Sequence, residues 1–342
     1  MQRVDPLTYR DWNEHVLATP QASIFHSTNW LRVLQASYGY QPYYLAGFKG
    51  QQLTALLPFM EVKSWITGVR GVSLPFSDYC EPISDASTPY LEILAQVILV
   101  ARRQKWKSIE MRGGDDLLYG ISPYTFYYRH LLMLQKDEAE IASSLRSNYR
   151  ARIKKARAND LTVTILRSAE AMTAYYRLHC LTRKRQGLPP QPVRFFQHIQ
   201  EHIIANNFGF VALVSHHGTH VAGGVFFYFG HRVIYKFGAT DRRYQSLYPT
   251  HLLLWHVIQW LCHHGYAELC FGRSAPNNTG LIQFKDGWGA NKSRINYYRY
   301  NLKTASFVQD VNHWSESSYK VCQKIPITLL KLAGSVLYKH MG

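Results

Sequence analysis

The sequence lacks most of the short motifs that mark an enzyme class. It has no GxSxG elbow, no Walker lysine loop, no HExxH and no GxGxxG behind a first strand. Hydrolase, P-loop, zinc-protease and dinucleotide-binding readings therefore lose their usual supports. Cysteine is scarce and odd in number: Cys80, Cys180, Cys262, Cys270 and Cys322, with no CxxC spacing. That argues against a disulfide framework and a structural zinc site, and fits a reducing compartment. Long hydrophobic runs are missing too. The most apolar stretch, near Leu91 to Ala101, is interrupted by Glu92 and Gln96 and followed by Arg102 and Arg103, so it is too short and too polar to span a bilayer. The N-terminus carries Asp5, Arg10, Asp11 and Glu14 and no apolar core of a signal peptide. A cytoplasmic location is expected, with a peripheral position on the cytoplasmic face of the membrane as the alternative.

Acid is also in short supply. Against 22 Asp and Glu stand 39 Lys and Arg, a net charge of +17 on 342 residues. Such a balance favours anionic partners: nucleic acid, a phosphate-bearing small molecule or an acidic membrane surface. A hydrophobic content of 46% with 14% aromatics provides for a substantial core. Histidine is plentiful, with His216, His217 and His220 around an expected hairpin turn and His263 and His264 at a helix end. No matched carboxylates accompany them, so turn and helix-end roles outweigh metal binding, and no metal is expected.

The two halves run in the same order. In the first, two β-like runs from Tyr44 to Val62 flank a turn at Lys49–Gln51; a β-rich stretch follows from Gly71 to Ile83, then a helix-like run from Thr88 to Gln104. The strand Ser108–Met111 ends at Arg112-Gly113-Gly114. In the second, β-like runs from Phe210 to Phe229 flank the His217–Thr219 turn. Next come a strand at Val233–Ala239, a helix from Tyr248 to His264 and a strand at Ala267–Phe271, ending at Gly272-Arg273-Ser274. Aromatic and β-branched residues support the strands, and Pro249 suits a first helical turn. The expectation is a duplicated α/β (α+β layered) fold with mixed sheets: residues 1–145, residues 146–305 with the transfer site, and a C-terminal extension, 306–342, docked on the body or on a membrane surface.

Between the halves, Ser143 to Ala158 holds six cations in a helix-compatible run, with Leu145, Tyr149, Ile153 and Ala156 on one stripe. Its basic face reads as a solvated surface or as a phosphate-binding rim. Arg183, Lys184 and Arg185 end a further helix, where cations also suit the macrodipole. The most informative stretch is Gly265 to Ala290. A buried strand opens there into a Gly-Arg-Ser loop, a turn-rich segment follows from Ala275 to Gly280, and Lys285 then sits near Phe284 and Trp288. Strand ends of this kind hold ligands in α/β proteins, and the lysine suits an anion or a developing negative charge.

Several segments together carry a family resemblance: Phe25-His26-Ser27 with Trp30, Leu56-Leu57-Pro58, Leu74-Pro75-Phe76-Ser77-Asp78-Tyr79, the basic linker, Thr182 to Gly187, Tyr235 to Ala239, Gly272-Arg273-Ser274 and Phe284-Lys285-x-Gly-Trp288. On these the chain resembles the FemAB-like acyltransferases, which are built from two tandem GNAT-type domains. It is similar to the shorter members, having no long helical insertion in its second half. The resemblance implies transfer of an aminoacyl or acyl group to a primary amine of a cell-envelope precursor or glycoconjugate. The co-substrate would be an aminoacyl-tRNA or acyl-CoA, with no tightly bound cofactor and no covalent enzyme intermediate. It implies Lys285 at the transfer step with Phe284 near the activated donor end, and Arg183, Arg185 and Tyr235 near phosphates. Asp78 would orient the amine beside Tyr79. Trp30, Tyr244, Gly272, Arg273, Ser274 and Trp288 complete the expected substrate-binding set. Two other readings stay open: a basic nucleic-acid-binding protein, and an inactive GNAT domain that binds a phosphate-bearing glycoconjugate.

Overall fold

The computed structural model describes residues 1–84, 90–134, 137–309 and 323–342. The chain divides into two compact units. One is Met1–Tyr127 with residues 294–309 and Val336–Gly342; the other is Tyr128–Ser293 with residues 323–335. The division falls after Tyr127, whereas the sequence suggests residue 145, and residues 294–309 and 336–342 go with the first unit. Among the described residues no helix is long and apolar enough to cross a membrane.

In the first unit, β1 (Gln2–Val4), α1 (Trp12–Leu17) and α2 (Thr28–Tyr38) precede a hairpin of β2 (Gln41–Lys49) and β3 (Gln52–Ser64). Ser27 caps α2 by accepting the Trp30 N–H, and Gly39 ends it at φ +70°. β4 (Gly68–Val72) pairs antiparallel with β3, as does the short β5 (Ile83–Ser84). After α3 (Tyr90–Arg103), β6 (Ser108–Arg112) lies parallel to β4. Ile93, Val97 and Ala101 recur on one face of α3 and pack on Tyr43, Leu45, Leu57 and Phe59 of the hairpin. Each such burial contributes about 1.5–3 kcal/mol for a large side chain.

β7 (Thr125–Met133) leads into the second unit. Two helices follow, α4 (Glu138–Ser144) and α5 (Ser147–Arg157), where one helical run is expected; Leu145 and Arg146 between them are extended, with ψ near 143° and 142°. The expected stripe is nonetheless buried at all four positions: Leu145, Tyr149, Ile153 and Ala156. β8 (Leu161–Leu166), α6 (Ala169–Arg185) and α7 (Val193–Ile199) come next. The hairpin of β9 (Gly209–His216) and β10 (Thr219–Phe229), then β11 (Arg232–Thr240), α8 (Pro249–His263) and β12 (Glu268–Ser274), repeats the order β2, β3, β4, α3, β6. The strands of this unit lie in the order β7-β12-β11-β10-β9-β8, with β11 and β12 parallel. The loop expected from Ala275 to Gly280 gives way at Thr279 to α9 (Thr279–Asp286), capped by the Asn278 side chain on the Leu281 N–H.

β13 (Asn291–Asn301) pairs through Tyr297–Asn301 with β6, and β14 (Ser306–Phe307) pairs with β13. The final helix is α10 (Ile327–Met341). In the first unit Tyr40 Oη donates to Lys339 O at 2.9 Å and Arg70 Nη2 to His340 O at 2.8 Å, so the chain end is held on protein.

One expected strand is shorter than its sequence suggests. The β-rich stretch Gly71–Ile83 stops at Val72, because Leu74 and Phe76 take left-handed φ of 50° and 62°. Residues 88 and 89 of the expected first helix, and Cys322, lie outside the described residues.

Candidate functional site

The second unit contains a fork in its sheet. β11 and β12 pair only at Arg232↔Glu268, Val233↔Leu269 and Ile234↔Cys270. Beyond Ile234 the parallel pairing stops although both strands continue. Each strand carries an irregularity where they part. β11 has one more residue than β10 opposite Val225 and Phe226, which leaves Lys236 as the bulge. β12 bulges against β7 between Cys270 and Arg273, with Gly272 at φ +69°, a conformation that favours glycine. Bulges re-aim strands and end pairing, which is their effect at this point.

The fork gathers much of the expected set. Tyr235 lies on β11 and stacks on Phe226 with ring centroids 4.9 Å apart, and burial pushes its phenol up. Gly272, Arg273 and Ser274 form the other arm. Ser274 is 1% exposed, and its Oγ has no hydrogen-bond partner among the described residues. Lys285, on α9, is buried; its ammonium donates to Gly272 O at 2.8 Å and Arg273 O at 3.2 Å. The lysine thus binds the bulged strand end through backbone carbonyls. Beside it, His130 Nε2 lies 3.0 Å from Asp286 Oδ1; burial, opposed by that contact, lowers the imidazole pKa.

An aromatic and cationic rim adjoins the fork. Tyr149 Oη donates to Phe284 O at 2.9 Å and fixes α9 against α5. His251, in the first turn of α8, packs edge-on against Tyr149 at 4.8 Å and Phe284 at 5.5 Å. Burial first, and Arg152 second, push its pKa down to about 4. Arg152 Nη1 approaches His251 Nε2 at 3.3 Å. A guanidinium is a donor only, so Nε2 is the acceptor and the ring proton sits on Nδ1. Arg152 and Lys155 stand 5.5 Å and 5.6 Å from the centroid of Tyr248, immediately before the N-terminus of α8. Two cations at the start of a 15-residue helix form an anion-binding arrangement. The sequence pointed to the basic linker, Arg152 among its cations, but not to His251 or Tyr248. Their signal was a spatial one, created when α5 packs on α8.

The remaining expected residues are placed as follows. Arg183 sits near the end of β11 through its neighbour: Thr240 N donates to Thr182 Oγ1 at 3.0 Å. Arg183 itself donates to Pro189 O and Gln186 Oε1, each at 3.4 Å. Arg185 is exposed and helps Arg243 hold the Asp241 carboxyl below its usual range. Tyr244 lies beyond β11, 5.7 Å from the ring of His216. Trp288 is fully buried and stacked on Phe271, so it shapes the core behind the fork. Trp30, Asp78 and Tyr79 belong to the first unit. Trp30 is a core residue at 0% exposure, edge-on to Phe25; Asp78 is 6% exposed, and its carbonyl accepts from Tyr297 Oη at 2.7 Å. Tyr79 packs edge-on against Phe25.

The first unit has the counterpart of this fork, and its own chain fills it. After Val72↔Glu110 the loop from Ser73 turns in: Ser73 N donates to Glu110 O at 2.8 Å, and Ser73 Oγ accepts the Arg112 N–H at 2.9 Å. The Arg112 guanidinium donates to Leu74 O, Ser77 O and Glu110 Oε1. Burial would raise the Glu110 pKa, but Arg112 and Arg299 hold it down at about 2. Among the described residues no cluster of three or more His, Cys, Asp or Glu could hold a metal ion.

Comparison with known proteins agrees with this geometry. Residues 143–286, which contain the fork and its rim, match the acetyltransferase (GNAT) domain. No curated protein sequence matches the chain. Among solved structures the fold is similar to FemX, with a TM-score of 0.70 and 14% identity, covering 95% of this chain and 100% of that one. It is also similar to the C-terminal domain of a candidate lysylphosphatidylglycerol synthetase from Agrobacterium fabrum (TM-score 0.57, 11% identity, 90% and 94% covered). A tandem GNAT protein from the clavulanic acid biosynthesis pathway aligns with a TM-score of 0.56 at 10% identity, covering 88% and 97%. By that match, residues 143–286 are a GNAT-type acetyltransferase domain. Over nearly the whole chain the fold is that of FemX.

Proposed function

We propose that the protein moves an aminoacyl or acyl group from an activated donor, acyl-CoA or aminoacyl-tRNA, to a primary amine of a cell-envelope precursor or glycoconjugate. The observation that carries this reading is the fork between β11 and β12, lined by the buried Ser274 Oγ, without a partner among the described residues, and adjoined by the cationic start of α8. Arg152 and Lys155 hold donor phosphates at the helix N-terminus, with Arg183, Arg185 and Tyr244 at the far end of β11. The acyl carbonyl enters the fork. The neutral amine attacks the carbonyl carbon, a C–N bond forms, and the thiol or hydroxyl of the donor leaves with a proton lost by the amine. Ser274 Oγ donates to an oxygen or to the leaving group, and the Lys285 charge stabilises the oxyanion through the field it places at the strand end. Phe284 and Tyr235 bound the acyl group. Asp78 is assigned to orienting the amine, with Tyr79 beside it.

The test is to follow thiol release from acetyl-CoA, and separately deacylation of aminoacyl-tRNA, with muropeptide precursors and simple amines as acceptors. Amine-dependent release with either donor is the expected result. Salt-sensitive DNA or RNA binding with no transfer from either donor would replace this reading with a nucleic-acid-binding one.

A further inference from the structure

The second unit has another feature, away from the fork. Between α6, the start of α7 and α10 lies an open cavity of about 440 Å³, lined by Thr173, Tyr176, Arg177, Pro192, Val193, Arg194, Lys331 and Ser335. Three of these are cations and none is acidic. Lys331 Nζ stands 5.6 Å from the centroid of the Tyr176 ring. The two hydroxyls point back into their own helices: Thr173 Oγ1 donates to Ala169 O and Ser335 Oγ to Leu332 O. The cavity thus offers largely apolar walls with three cations in its lining. Large apolar side chains in its lining and on the same helix as Lys331 are turned to solvent: Val193 of the lining is 49% exposed, and Leu329 and Leu332 of α10 are 56% and 64% exposed.

Exposed leucines on a helix that also carries lysine are costly in water and favourable at a lipid interface. There the apolar side chains enter the acyl boundary while the cations meet headgroup phosphates. A protein partner with an acidic apolar patch would meet the same chemistry, but the open, acid-free cavity and the overall charge of +17 favour a diffuse anionic surface. We infer that this face, the Arg177–Arg194–Lys331 cavity with Val193 of its lining and Leu329 and Leu332 of α10, docks on an anionic phospholipid bilayer, a headgroup phosphate entering the cavity. The inference goes beyond the acyl-transfer reading and does not depend on it, since none of these side chains belongs to the fork or its rim.

The experiment is co-sedimentation of the full chain with vesicles of phosphatidylcholine alone and with vesicles that include phosphatidylglycerol. Binding is expected only to the anionic vesicles and should fall as salt rises. Arg194→Glu with Lys331→Glu should weaken it by about tenfold or more, on the scale of lost cation–surface attraction. Leu329→Ser with Leu332→Ser should weaken it while leaving the circular dichroism spectrum unchanged. The inference is overturned by equal binding to both vesicle types, by no binding to the anionic ones, or by charge variants that bind as the native chain does. Release from the vesicles by millimolar glycerol phosphate would also overturn it, showing a site for a free phosphate compound. Transfer to a soluble amine, measured in the same variants, reports on the fork alone and separates the two readings.

Discussion

The Lys285 ammonium and the Gly272 carbonyl oxygen meet at 2.8 Å, and this contact fastens α9 to the bulged end of β12. A lysine picked out by motif as a transfer residue is therefore also a tie between two elements. Lys285→Ala should cut transfer by about tenfold or more. It should also lower the melting temperature, because two carbonyls lose a charged donor at a cost of about 1–3 kcal/mol. Steady-state rates together with thermal melts check both halves; unchanged rates in a folded variant would remove Lys285 from the proposed step.

Ser274→Ala should behave oppositely on stability. Its hydroxyl is buried without a partner among the described residues, so deleting it should leave the melting temperature unchanged or raise it. Transfer should slow by about tenfold or more if the hydroxyl donates in the reaction. A loss of rate without loss of stability is the signature to look for in kcat.

Arg152→Ala, with Lys155→Ala, should raise the KM for the phosphate-bearing donor by about tenfold, with a smaller change in kcat, because a bidentate cation at a helix N-terminus binds ground state and transition state alike. Initial rates across donor concentrations measure this. A fall in kcat at unchanged KM would place these cations elsewhere in the reaction.

Acid should destabilise the second unit before the carboxylates titrate. His251 has its pKa depressed from 6.5 to about 4, and His179, buried and near Arg183, to about 3. A base with a depressed folded pKa is stable as the neutral form. Its contribution is complete above pH 6.5 and is lost as the pH falls toward 4, where the unfolded chain binds the extra proton. Each such histidine lowers the folding constant about tenfold per pH unit across that window. Urea denaturation at a series of pH values tests it, and His251→Gln should flatten the slope.

Glu110→Gln should destabilise the first unit by about 3 kcal/mol or more, because it leaves the buried Arg112 without its charge partner. Denaturation midpoints are the measure.

Much of this architecture is legible in the residues. The order hairpin, strand, helix, parallel strand can be read twice because each piece has a strong local signal, and the stripe Leu145–Tyr149–Ile153–Ala156 is buried at every position. The fork arm at Gly272–Ser274 is legible as a glycine-marked strand end. What escapes are features fixed by distant contacts. α9 is eight residues long in a polar stretch, and only its Asn278 cap announces it. The strand after Gly71 ends early because Leu74 and Phe76, both β-like in type, are forced to positive φ where the loop turns in toward Arg112. Trp288 and Trp30 read as binding aromatics and are core residues, since an aromatic beside a glycine-rich motif looks the same in either role. His251 looks like one more residue of an apolar helix until α5 brings Arg152 beside it.

The loop from Ser73, closed over Arg112, divides the labour between two copies of one fold. By the register of the pairs Val72↔Glu110 and Ile234↔Cys270, Arg112 stands where the repeat has Gly272, one residue before Arg273, and the two arginines at these strand ends have different fates. The first is swallowed by its own chain, so substitutions there should show up as misfolding and low yield. The second stands on an arm that remains apart from its neighbour, so changes there should show up in rate or acceptor choice while the fold survives. A mutational survey of the two positions would thus separate a place held for folding from the proposed place of transfer within a single polypeptide.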